Sequence, residues 1–181
     1  MTATLSIGEL TEQLDKASTE FNEYCSSLSE EQFFYQPVEK WSVAQQIKHL
    51  VSATNMAALA FRLPKVLVRI VGGKPNRKSR TFDELVAKYE LKLQQGGKAS
   101  SRYVPKPVPP SAGKEKLLKE FSKAMLKLSS ALQKNWKEPQ PDKYIAPHPL
   151  LGKITLRELS YFTIHHTRHH LASIQKMIAK K

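Results

Sequence analysis

Cysteine is almost missing from this chain. Cys25 is the single one in 181 residues, so no disulfide can close within the chain and no thiolate cluster is available for a metal. That usage makes a reducing, cytoplasmic compartment the expectation. Acidic residues are also scarce, 16 against 29 lysines and arginines, for a formal net charge of +13. Such an excess would suit phosphate backbones or anionic lipid. The lysines, however, are spread along helix faces and loop flanks with no nucleic-acid module signature among them. The expectation is therefore solubility and a small, anionic ligand, with nucleic acid disfavoured as a partner. Long apolar runs are missing too. The most apolar stretch, Met56 to Gly73, is interrupted by Arg62, Pro64, Lys65 and Arg69 and is not expected to span a bilayer. The first residues carry neither a basic n-region nor an apolar h-region, so no secretory signal is expected.

What is present is the composition of a globular protein, 40% hydrophobic and 25% charged, at a length that buries one core; a single domain over 1–181 is expected. Apolar residues at spacings of three and four mark four long helices. The first carries Ile7, Leu10, Leu14, Ala17, Phe21, Tyr24, Cys25 and Leu28. A short turn follows, opened by Ser29 and closed by Pro37, in which Phe33, Phe34 and Tyr35 cover one end of the core. Ser42 caps the second helix, which runs to about Leu63 because Pro64 disfavours helical geometry before it. Lys65 to Gly73 is basic and apolar together, either a packed helical continuation or a surface-binding patch; the packed continuation is favoured. A basic loop then leads to a short helix from Thr81 to Leu93, stopped by Gly96 and Gly97. Lys98 to Ser111, with four prolines, reads as an extended crossover. The third long helix covers about Ala112 to Trp136, with Leu117, Leu118, Phe121, Ala124, Met125, Leu128 and Leu132 inward. Glu138 to Lys153 is too rich in proline for helix. The capping arrangement of Thr155 with Glu158 starts the fourth helix, which fades out at Lys180 and Lys181. No strand is expected, and the fold class is all-α, a four-helix bundle.

Four of the six histidines lie in the last helix: His165, His166, His169 and His170. They form two overlapping pairs at i and i+4, a spacing at which two imidazoles reach one cation. At about 100° per residue, His170 falls roughly 40° and His166 roughly 80° from the apolar direction, whereas His165 and His169 fall roughly 140° to 180° away. His166 and His170 are therefore the inner pair, and His165 and His169 face water beside Arg168. His49, on the second helix, lies on a flank of the apolar stripe with Ala53, Met56 and Ala60. If the second and fourth helices run antiparallel, His49 is roughly 10 Å from the start of one and His170 roughly 13 Å from the end of the other, so their levels match. Three neutral imidazoles would hold a divalent cation and leave a position open for water or substrate. The competing reading makes each inward histidine a hydrogen-bonded core residue. Of the other candidates, His148 is either a pocket-rim residue or a loop histidine without a role. Trp41 is read as a core plug and Cys25 as a packed, unreactive thiol.

Trp41-Ser-Val-Ala-Gln-Gln-Ile-Lys-His49-Leu50, followed by Gly152-Lys-Ile-Thr-Leu-Arg-Glu158 and by His166-x-x-His169-His170-Leu-x-x-Ile174, resembles the DinB-like superfamily of small metal-binding four-helix bundles. Members typically carry a Trp and a His-Leu pair on the second helix and a His-x-x-x-His pair on the last. The resemblance implies an up-down-down-up bundle, a metal site of His49, His166 and His170, and a homodimer. The crossover from Gly72 to Ser111, with its extra helix, is longer than in a minimal member. Characterised members include transferases and isomerases that use bacillithiol or mycothiol. The function so implied is a divalent-metal-dependent enzyme, of thiol S-transferase or hydrolase type, acting on a small molecule with metal-bound water or thiol as the reactive group. Zinc or nickel leads as the metal, with iron, manganese and copper open, and a low-molecular-weight thiol is the expected second cofactor. The alternative is a non-enzymatic bundle that binds a metal or small ligand in a stress response.

Overall fold

The computed structural model describes residues 4–179. The expected fading of the last helix at Lys180 and Lys181 lies outside the described residues. Seven α-helices are present among them: α1 (Ile7–Ser27), α2 (Glu30–Phe34), α3 (Val43–Arg62), α4 (Lys65–Gly72), α5 (Phe82–Gln94), α6 (Lys114–Asn135) and α7 (Leu156–Ile178). The protein is predominantly helical, as the apolar periodicity requires. Among the described residues, no helix is long and apolar enough to cross a membrane.

The long helices pack in a closed ring: α3 on α6, α6 on α1, α1 on α7 and α7 on α3. Each therefore meets two neighbours and buries a wide arc rather than a single stripe. Leu10, Leu14 and Phe21 of α1 meet Phe121 and Leu128 of α6, Ile47, Leu50 and Phe61 of α3, and Tyr161 and Ile164 of α7 in one core. Phe21 and Phe121 lie 4.8 Å apart at their centroids. Cys25 is fully buried there, and burial pushes its thiol up to about 12, which makes it the unreactive packing residue expected. Five helices start with a reciprocal capping box, the pairs being Ser6 with Glu9, Ser29 with Gln32, Ser42 with Gln45, Thr81 with Glu84 and Thr155 with Glu158. In each, two backbone N–H groups that the helix itself leaves without acceptors are satisfied.

Several expectations need correction. The link after α6 is not wholly irregular: β1 (Ile145–His148) and β2 (Gly152–Thr155) form an antiparallel hairpin in which Ile145 pairs with Thr155 and His148 with Gly152. Pro147 is tolerated because each strand of a two-stranded ribbon keeps a free edge for the position without an N–H. The crossover from Lys98 to Ser111 is not simply extended, since Ser101–Tyr103 and Pro110–Ala112 each make a 3₁₀ turn. Tyr35 is exposed and does not cover the core, although Phe33 is fully buried. Finally, α4 is helical as expected but packs by one edge only. Val68 and Gly72 are buried against β1, while Val66, Leu67, Ile70 and Val71 stay exposed.

Gly72 explains how α4 lies so close to the hairpin. A Cβ at that position would sit 1.9 Å from the carbonyl oxygen of Ile145, so only glycine allows the two backbones to meet. The following loop is held by charge. The carboxylate of Glu158 is fully buried and accepts from both guanidinium nitrogens of Arg77 at 2.7 and 2.8 Å and from the backbone N–H of Arg80 at 2.7 Å. Burial alone would raise the pKa of Glu158, but these donors outweigh it and the group is held below the usual range. By this anchor α5 is fixed over α7.

Candidate metal centre

His49 of α3 and His166 and His170 of α7 come together as expected. All three are buried, and their donor nitrogens lie within 4.8 Å of one another. The Nε2 atoms of His49 and His170 approach that of His166 at 3.1 and 3.2 Å. A tetrahedral zinc with Zn–N bonds of 2.0–2.1 Å separates its ligand atoms by about 3.3 Å, so the observed triangle is already close to the face that a cation would need. His49 qualifies despite its place on the flank of its stripe because α3 is covered on both sides. Its flank neighbours Ala53, Met56 and Ala60 line a cavity rather than solvent.

The hydrogen positions follow from the outer partners. Nδ1–H of His49 donates to the carbonyl oxygen of Tyr103 at 2.8 Å, and Nδ1–H of His170 donates to Oε1 of Gln46 at 2.9 Å. Both rings must then present a bare Nε2 lone pair to His166. A single N–H on His166 could satisfy only one of them. Two bare lone pairs with at most one hydrogen between them fit a cation, whereas a core of hydrogen-bonded histidines would supply a donor for each acceptor. Burial, and after it the neighbouring histidines, hold His166 and His170 well below the usual imidazole range; burial also lowers His49 against the opposing pull of the Tyr103 carbonyl. The rings are thus neutral, the form that ligates.

Aromatic rings close the site. Trp41 is only half-buried and is not the core plug expected. Its ring lies 5.0 Å from that of His49 and parallel to His170 at 6.5 Å. Phe162 stacks on His166 at 4.7 Å, and Tyr89 of α5 stands 6.3 Å from the same ring. Beside them opens a cavity of about 420 Å³, lined mainly by apolar side chains from α3, α5, α7 and the hairpin.

His148 lines this cavity, in keeping with a place at the pocket rim. Its ring sits 4.2 Å from Phe162, and its Nδ1 accepts from the backbone N–H groups of Leu150 and Leu151 at 3.2 and 3.1 Å. The hydrogen must therefore be on Nε2. Burial, and then the charge of Lys88, lower its pKa to about 4, so His148 is a neutral imidazole with one N–H to offer. The expectation that His165 and His169 face water is overturned. Both are only partly exposed and turn toward α5, where His165 Nε2 meets Glu90 at 2.9 Å. Arg168 turns instead to α1, donating to Gln13 and pairing with Glu20.

Gln46, Tyr103 and Tyr89 were not singled out from the sequence. Gln46 had a signal, since it stands one helical turn before His49 and so on the same face. Tyr103 had none, because a main-chain carbonyl in an irregular crossover acts irrespective of its side chain. A family model described as the DinB superfamily matches the chain over residues 13–174, a span that includes all these residues. No curated protein matches the chain.

Proposed function

We propose, on the premise that the chain belongs to the DinB superfamily, that it is a divalent-metal-dependent enzyme of thiol S-transferase or hydrolase type with His49, His166 and His170 as the metal ligands. We take residues 1–181 as one domain and its four long helices as an up-down-down-up bundle. The observation that carries the reading is the triangle of neutral, inward-facing Nε2 atoms, each outer ring fixed by its own acceptor. Three imidazoles leave a coordination position open, the arrangement of catalytic rather than structural sites. Zinc or nickel suits such a donor set. A divalent cation held there would lower the pKa of a coordinated thiol or water toward neutrality.

The chain's own residues supply the rest. Gln46 and the Tyr103 carbonyl orient the ligating rings. Trp41, Tyr89 and Phe162 exclude bulk water from them, which strengthens every polar interaction inside. His148 offers an uncharged Nε2–H to a carbonyl or other acceptor of a bound molecule, in the manner of a neutral imidazole electrophile. The apolar walls take up the body of the substrate, so the proposed substrate is a small molecule with an apolar portion and a polar reacting group. A low-molecular-weight thiol remains the proposed co-substrate.

Elemental analysis of untagged protein tests the reading, followed by the same measurement on His49→Ala, His166→Ala and His170→Ala. About one equivalent in the parent, lost in each variant, is expected. Turnover of a panel of thiols with apolar electrophiles and esters, dependent on that metal, would complete the case. Metal binding without turnover would leave a metal-binding module, and no metal in the parent would end the proposal.

A further inference from the structure

A second group of potential ligands stands on the adjoining face of α7. His165 and His169 are again at i and i+4, and Glu90 reaches them from α5; the three donor atoms lie within 4.8 Å of one another. One carboxylate oxygen, Oε1 of Glu90, stands 2.9 Å from Nε2 of His165 and 3.8 Å from Nδ1 of His169. We propose that Glu90, His165 and His169 form an accessory site for a borderline divalent cation, zinc, nickel or copper(II), which ties α5 to α7.

The chemistry of the donors supports the assignment. Two imidazoles and one carboxylate are a recognised set for zinc, copper and nickel. A helical His-x-x-x-His pair needs only side-chain rotation to chelate. The carboxylate also brings negative charge, which the central three-histidine group does not have. The competing arrangement, a plain hydrogen bond from His165 to Glu90, leaves His169 at 3.8 Å, beyond hydrogen-bond distance. All three residues are partly exposed, so water can complete the coordination and binding should be weaker than at the buried site.

The two sites meet at Tyr89. Its ring lies 5.6 Å from His165 and 6.0 Å from His169, as well as near His166. Tyr89 itself is not a ligand in this arrangement; burial, with Glu90 adding to it, pushes its phenol up to about 12. Because Tyr89 and Leu93 of α5 form part of the cavity wall, a cation bridging α5 to α7 would hold that wall in place. The accessory site thus acts on access to the cavity and not on the reaction itself.

The test is a zinc titration of untagged, chelator-stripped protein against a competing indicator, with amide hydrogen exchange followed across residues 82–94. Two equivalents per chain are expected, the weaker one slowing exchange in α5. Glu90→Gln and His165→Gln, both at partly exposed positions, should weaken only the second equivalent, by at least about tenfold. His166→Ala should abolish only the first. Unchanged stoichiometry and affinities in Glu90→Gln and His165→Gln would overturn the accessory site, as would a parent that binds a single equivalent lost in His166→Ala. A single equivalent that survives His166→Ala but is lost in Glu90→Gln would instead support the accessory site and overturn the central one.

Discussion

His170 of α7 donates its Nδ1–H to Oε1 of Gln46 on α3, at 2.9 Å. Gln46 stands one turn before His49, so a single helix supplies both a candidate ligand and the group that orients a ligand on the opposite helix. The amide oxygen can only accept, which places the hydrogen on Nδ1 and frees Nε2 for the cation. Second partners of this kind contribute to affinity by fixing ring orientation and raising ligand basicity.

Gln46→Leu should therefore lower metal affinity by about 10- to 100-fold while leaving the stoichiometry unchanged. Gln46→Glu keeps an acceptor and should retain most of the affinity. Competition against a chelating indicator measures both. Equal affinities for the Leu variant and the parent would mean that packing alone fixes His170.

Acid should destabilise the metal-free fold in a defined window. Burial, aided by Lys88, keeps the pKa of His148 at about 4, and burial lowers His49, His166 and His170 from 6.5. In the unfolded chain these groups bind a proton near 6.5. Below that pH the unfolded state holds more protons than the native one, so stability falls with pH until the native groups titrate. His148 alone sets a ceiling of about 3 kcal/mol on its own share, lost between pH 6.5 and 4. Urea unfolding of metal-free protein from pH 7.5 to 4.5 should show the midpoint falling below pH 6.5, with a shallower fall in His148→Gln. Identical slopes for parent and variant would contradict the assignment of His148 as a neutral, buried ring.

Features that depend on neighbours in sequence were legible. The capping pairs Thr81 with Glu84 and Thr155 with Glu158 are three residues apart, and the inner pair His166 and His170 follows from helical phase alone. His49 required one further step, the matching of axial levels between two helices. What escaped was set by distant chain. The Tyr103 carbonyl reaches His49 from 54 residues away and Glu90 reaches His165 from 75, through a crossover whose sequence shows a short helix but not where it packs. The assignment of His165 and His169 to solvent failed for the same reason: helical phase says which side of α7 they occupy, but not that α5 lies on that side. The hairpin was hidden by its own composition, two four-residue strands with a proline in the first.

Gly72→Ala tests the contact between α4 and β1. The added Cβ would meet main-chain atoms of Ile145, including the carbonyl carbon at 2.6 Å, and backbone cannot turn aside as a long side chain can. Gly72 is the last residue of α4, where the preference for alanine is at most the about 1 kcal/mol of a helix interior. The clash should outweigh that preference, for a net loss of about 1–3 kcal/mol. Thermal unfolding gives the stability. Because β1 ends at His148, its ring signal in nuclear magnetic resonance should shift as well. A stabilised variant would mean that α4 moves away from the hairpin without cost.

Glu158 provides the last test, because its carboxylate is fully buried whereas its partners Arg77 and Arg80 are 31% and 24% exposed. Glu158→Gln keeps the volume but removes the charge that both guanidinium groups face, and it weakens the acceptor for the Thr155 N–H at the start of α7. Breaking a buried pair from one side costs about 3–5 kcal/mol. The arginines can recover water, so the lower end, about 3 kcal/mol, is expected. Arg77→Met should cost less than Glu158→Gln, since Glu158 retains the Arg80 and Thr155 donors. The double variant should fall short of the sum by more than about 1 kcal/mol, the signature of two groups that act as a pair. Strict additivity in denaturant unfolding would mean that the loop from Gly73 to Thr81 is held by its other contacts, such as those of Ser79 with Asp142 and Thr155. In that case α5, with Tyr89 and Glu90, would keep its place over α7 without the buried charge.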